Sequence, residues 1–236
     1  DEFGRLGDSQ QQKILKLLGK THTHAFEWMS TPRFWQHDTL EFAVSRKEQR
    51  ADCQHLLTLV DPALAHLRAA KQDAKFNADI LDYFIFGAER IQLLATRMLR
   101  QLEAGECYEQ AVYAIAEGKD AQPLVQRALQ LMKEIRSDHA ALKPVYCRLY
   151  LAENRPYSLD WLSAAYDDIC GYYGGLIGKL EIAQKTLAET HKLPPAREAG
   201  LEIVEKAVRR TRPQSVTADP LRADAAWACA GYRQRL

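Results

Sequence analysis

Phe76, Ile80, Tyr83, Phe84, Gly87, Ile91, Leu94, Ala95, Met98 and Leu102 follow one another at steps of three and four residues, broken only by two adjacent pairs. That spacing places them on one stripe of an α-helix; a half-buried strand would alternate faces at every residue. A stripe this long has to be buried against other helices, and so fixes the fold class of its surroundings. The rest of the chain agrees. Only 12 Gly and 9 Pro interrupt 236 residues, and the stretches between them are rich in Ala, Leu, Glu, Gln, Lys and Arg, the strong helix formers.

Helix by helix, the pattern predicts a first segment over Asp8 to Leu18 and a restart at Thr31-Pro32. A long helix capped by Asp38 then runs through Leu40, Phe42, Cys53, Leu56 and Val60, is broken or kinked at Pro62, and resumes through Leu64 and Leu67. The stripe helix is expected to stop at Gly105, with a shorter helix from Tyr108 to Ala116 ending at Gly118. Pro123 opens another, bent at Pro144. After Asn154-Arg155-Pro156 a helix starts near Ser158 or Leu159 and runs towards Lys192, with Gly171, Gly174, Gly175 and Gly178 inside it. These glycines are expected to let two helices approach closely, with Tyr172 and Tyr173 packed beside them. A short helix over Arg197 to Arg210 and a last one capped at Asp219-Pro220 complete the set. The expected fold is all-α: an up-and-down bundle of long kinked helices over residues 1–192, with smaller C-terminal helices over 193–236 packed on the same domain, and essentially no sheet.

Lys plus Arg number 32 against 31 Asp plus Glu. A balance so close to neutral lacks the basic excess of a nucleic-acid binder, and no basic block marks a membrane surface. The last 37 residues hold seven basic and four acidic side chains, a mild bias read as a solvated face. Five widely spaced cysteines without a Cys-x-x-Cys pair read as free thiols, neither a disulfide scaffold nor a zinc site. The chain begins Asp1-Glu2-Phe3-Gly4-Arg5, with no initiator Met and no signal-peptide core. We therefore expect a soluble piece of a longer protein, with bacterial cytoplasm and periplasm equally open.

Few constellations carry chemistry. His22 and His24 form a His-x-His pair, which chelates metal when it lies on a strand; here it follows a helical pattern and reads as a connecting loop. Asp52 and His55 stand three apart, near the Glu-x-x-His of di-iron bundles, but no second such motif exists. Asp138-His139 reads as an exposed helix face. No nucleophile elbow, Walker loop or dinucleotide fingerprint is present. No metal or cofactor is expected.

The densest polar-aromatic cluster runs from Tyr150 to Trp161. Glu153, Asn154 and Arg155 at a helix junction can cap both helix ends and hold a neighbouring surface by charge-assisted hydrogen bonds. Tyr157 and Trp161, four apart, are expected on one face of the following helix. Two readings stay open: a contact for sugar or peptide, or a corner that docks another domain.

The run Leu149-Tyr150-Leu151-Ala152-Glu153-Asn154-Arg155-Pro156-Tyr157-Ser158-Leu159-Asp160-Trp161, with Tyr166-Asp167 after it, resembles a segment in helical C-terminal regions of bacterial proteins related to family 20 glycoside hydrolases, the β-N-acetylhexosaminidase-like proteins. Tyr83 to Arg90 resembles an upstream segment of the same regions. The resemblance covers about twenty residues within a helical region of about 110. Enzymes of that family work by a substrate-assisted mechanism, outside the usual two-carboxylate scheme, with an adjacent Asp-Glu pair on a parallel barrel. The one Asp-Glu dipeptide here is Asp1-Glu2, and no β/α alternation accompanies it. The resemblance thus implies a non-catalytic accessory module that packs on the catalytic domain of its parent and shapes a sugar cleft. Glu153, Asn154, Arg155, Tyr157 and Trp161 are its expected contacts. The alternative is a helical protein-interaction module unrelated to carbohydrate, anchored by Phe26, Trp28, Phe34 and Trp35.

Overall fold

A computed structural model describes residues 41–42 and 45–205. Four long helices dominate it: α1 (Arg46–Asp73), α2 (Ile80–Ala116), α3 (Gln122–Glu153) and α4 (Leu159–Thr190). They run up and down, each packed on the next in sequence. A single turn, α5 (Ala196–Ala199), follows, and two-residue strands β1 (Glu41–Phe42) and β2 (Val204–Glu205) pair in parallel. The fold is an all-α up-and-down bundle, and among the described residues that short bridge is its sheet. The helices expected over 8–18, from 31 and beyond 219 lie outside the described residues.

Local chemistry moves several boundaries from where periodicity put them. The start of α1 is Ser45, in place of Asp38. The Glu48 amide donates to Ser45 Oγ at 3.3 Å, and the Ser45 amide donates to Glu48 Oε2 at 3.1 Å, a reciprocal capping box. Phe42 therefore precedes the helix and belongs to β1. Pro62 does not break α1, and α3 continues through Pro144. An interior proline costs about 3 kcal/mol; Val60, Ala63, Leu64 and Leu67 are all buried around the first. Phe76 lies ahead of α2, 64% exposed, in a turn where Asn77 takes a positive φ of 52°.

Gly105 does not stop α2. A Cβ there would meet the Ile203 side chain at 2.6 Å and the Leu201 carbonyl oxygen at 3.2 Å. The glycine marks the place where the C-terminal segment lies against the helix. The helix ends at Gly118, as its position predicts, with φ 70° and the Lys119 amide donating to Ala114 O at 2.8 Å. Of the helix expected over Arg197 to Arg210, residues 206–210 lie outside the described ones, and within these α5 ends where Gly200, at φ 75°, turns the chain left-handed. Beyond it Leu201 and Ile203 are buried with Ala199 in the main core.

Two cores result. Val60, Leu64 and Leu67 of α1 pack on Leu81 and Ala88 of α2, and Cys53 and Leu56 pack on Leu94 and Ala95. The other face of α2 joins α3 and α4 around Leu102, Tyr108, Met132, Ile135, Tyr173 and Leu180. Ion pairs rim the first interface, from Arg46–Glu109 at 2.5 Å near one end to Lys71–Asp82 at 2.5 Å near the other.

Candidate functional site

At the α3–α4 corner the cluster singled out from the sequence is laid out on the surface. Glu153 is the last residue of α3 and Asn154 its C-cap. The Asn154 backbone amide and its side-chain Nδ2 both donate to the Tyr150 carbonyl oxygen, at 2.8 and 3.1 Å, and so close the helix end. The capping is one-sided: Ser158 precedes α4 without a side-chain cap bond. Tyr83, from the start of α2, reaches the same place. Its hydroxyl donates to Leu149 O at 3.4 Å, with the Glu153 carboxylate close by. Burial and the Glu153 carboxylate raise its pKa. The two segments Tyr83–Arg90 and Leu149–Trp161, some sixty residues apart in sequence, thus meet.

Tyr157 and Trp161 do not share a helix face, because α4 begins at Leu159 and Tyr157 sits in the preceding turn. Both rings are offered to solvent, Tyr157 at 90% and Trp161 at 77% exposure, with Leu151 of α3 exposed beside the same helix end. Arg155 is also exposed. Two aromatic rings this open, one in the turn and one at the start of α4, make a contact surface of high apolar content with charged neighbours.

Beneath the corner lies a feature that the sequence reading missed. Arg90 of α2, Tyr146 of α3 and Tyr166 of α4 form one layer, and seven residues along each helix Arg97, His139 and Tyr173 form the next. Seven residues are about two helical turns, so each layer sits directly below the last. In the outer layer the Tyr146 ring lies 5.5 Å from Tyr166 and 5.9 Å from Phe86, with the Arg90 guanidinium 5.9 Å from the Phe86 centroid. In the inner one His139 stacks on Tyr173 at 6.1 Å and 16°. His139 is thus fully buried, where the sequence reading expected an exposed face; its neighbour Asp138 is the outward residue, ion-paired with Arg100.

Burial dominates the electrostatics of both layers. It lowers the pKa of both arginines, offset in part by the facing tyrosines. Tyr166 is pushed up to about 12 by burial, against the opposing charge of Arg90. His139 is pushed down to about 3, first by burial and then by the charge of Arg97. The signal for these residues lies in the sequence: charged residues at a seven-residue interval inside an apolar stripe.

The glycines of α4 also differ from expectation. A Cβ on Gly171, Gly175 or Gly178 would meet nothing within 4 Å, and one on Gly174 would touch only the Arg136 guanidinium at 3.8 Å. They mark open surface, not close helix approach. Tyr172 meets Tyr173 edge-on at 5.4 Å. Of the metal candidates, Asp52 is half-buried and His55 exposed on α1. Among the described residues no three His, Cys, Asp or Glu side chains converge on one point. His22, His24, Phe26, Trp28, Phe34 and Trp35 lie outside them. Cys53, Cys107, Cys147 and Cys170 are free thiols, and among the described residues no helix is long and apolar enough to cross a membrane.

No family model matches this chain, and neither does any curated protein or solved structure.

Proposed function

We propose that the chain is a non-catalytic helical accessory domain of a larger carbohydrate-active protein, docked on a catalytic domain through the α3–α4 corner, where it shapes one side of a sugar cleft. The observation that carries the docking is the exposure of Tyr157, in the turn after the Asn154 cap, and of Trp161, in the first turn of α4. Aromatic faces beside Glu153 and Arg155 suit a sugar's apolar face and its hydroxyls together. The carbohydrate part rests on the resemblance of the Leu149–Trp161 segment to glycoside hydrolase family 20 proteins.

A glycan array probed with the chain and with Trp161→Ala and Tyr157→Ala variants tests this reading. Glycan binding by the parent chain, lost in variants with unchanged helical circular dichroism, supports the sugar contact. Capture of a protein partner with no glycan signal favours the interaction module instead. Turnover of an aryl N-acetylglucosaminide by the isolated chain would overturn the non-catalytic assignment.

A further inference from the structure

The buried residues Ile169, Tyr173, Leu176, Leu180 and Leu187 mark the core side of α4. On the opposite side, at steps of seven, four, three and four residues, stand Ala164, Gly171, Gly175, Gly178 and Ile182. Gly171, Gly175 and Ile182 are exposed, Ile182 at 68%. A solvated helix face is ordinarily charged and polar; this line holds small and apolar residues instead. We propose that it is where a second copy of the chain docks, with the two α4 helices antiparallel.

The charges beside the line select that occupant. Asp168 and Lys179, eleven residues or about three turns apart, lie on one flank, and Asp160 and Lys185 lie on the other. The acids stand toward the N-terminal end and the lysines toward the C-terminal end. Asp160, Asp168 and Lys179 make no ion pair among the described residues, and Lys185 only reaches Glu189 at 3.8 Å. Their neighbours Asp167 and Glu181 are already held, by Lys143 at 2.6 Å and Lys133 at 3.0 Å. When two such faces meet antiparallel, with Gly171 opposite the second copy's Gly175, Asp168 comes within one residue of the second copy's Lys179. In the same register Asp160 comes within one residue of its Lys185. Laid parallel, each acid would face its own like, which repels.

The glycines set how closely the helices come. A Cβ on Gly171, Gly175 or Gly178 would meet nothing within 4 Å, so no described residue fills this line. The distance between packed helices follows the side chains at the contact, and here the centre of the line has none. Ile182 supplies an apolar contact near each end, and by two-fold symmetry every contact forms twice. From Ala164 to Ile182 the line is about 27 Å long and one helix wide, at the small end of specific interfaces. The association is therefore weak, and salt weakens it further. The line begins beyond Trp161, so this docking does not depend on what the corner binds.

Sedimentation velocity of the full chain from about 1 μM to about 1 mM should show a monomer–dimer equilibrium that shifts to monomer as salt is raised. Gly175→Leu, which puts a bulky side chain into open space on each monomer, should abolish the dimer and leave the helical circular dichroism unchanged. Asp168→Lys and Lys179→Asp should each weaken the dimer about tenfold or more. The double variant should restore it, because the two positions are three turns apart within one chain and meet only between copies. A monomer at every concentration overturns the proposal, whether a different protein covers the face or none does. So does a dimer indifferent to Gly175→Leu, or a double variant no tighter than either single one.

Discussion

Positions 104, 132 and 180 hold Ala, Met and Leu; seven residues along the same helices, positions 97, 139 and 173 hold Arg, His and Tyr. One further step from each gives Ala111, Val125 and Leu187 at the apolar end, and Arg90, Tyr146 and Tyr166 at the other. The register is the same throughout, so geometry alone does not explain why half of the column is polar. Apolar layers gain about 25 cal/mol per Å² removed from water, whereas the polar ones must first lose their hydration. Stability is therefore concentrated in the half away from the exposed corner, and the half beneath the corner is the cheaper one to open.

Truncation in the apolar half should show this most strongly. Leu180 is fully buried among Met132, Ile135, Tyr173 and Ile177. Leu180→Ala should cost about 2–5 kcal/mol in urea unfolding, the range for a buried leucine whose cavity collapses only in part. A cost under about 1 kcal/mol would mean that the apolar half does not anchor the bundle.

Glycine substitutions sharpen the same contrast. Gly105→Ala drives a methyl into Ile203 and the Leu201 carbonyl, and overpacking of this kind costs about 1–3 kcal/mol. Gly175→Ala, on the open face of α4 with nothing within 4 Å, should instead stabilise by about 0.5–1 kcal/mol, because alanine loses less backbone entropy in a helix. Opposite shifts in thermal midpoint check both at once.

That pair also shows what could be read from the sequence. The helical class, the up-and-down bundle and the break at Asn154-Arg155-Pro156 follow from periodicity and from proline and glycine placement. Gly105 and the α4 glycines were read the wrong way round, since a glycine's role depends on what lies across from it, and the partner of Gly105 is almost a hundred residues away. The same limit applied to His139. Its neighbour Asp138 is charged, and only the packing of α2 and α4 decides which of the two faces inward. The corner was legible as a cluster because its residues are contiguous; its support from Tyr83 was not.

The smallest effect bears on the polar half directly. Tyr173 is buried among Leu180, Ile169 and the His139 ring, and among the described residues its hydroxyl oxygen has no hydrogen-bond partner. Most of what the ring contributes is apolar contact, which phenylalanine keeps. The hydroxyl contributes only its lost hydration, because a buried polar group without a partner carries the full desolvation penalty. Tyr173→Phe should therefore leave stability unchanged or raise it by up to about 1 kcal/mol, measured by urea unfolding at neutral pH beside Leu180→Ala. If it destabilised the protein as much as the leucine truncation, the inner polar layer would be as strong an anchor as the apolar one. The two halves of the column would then differ in chemistry but not in strength.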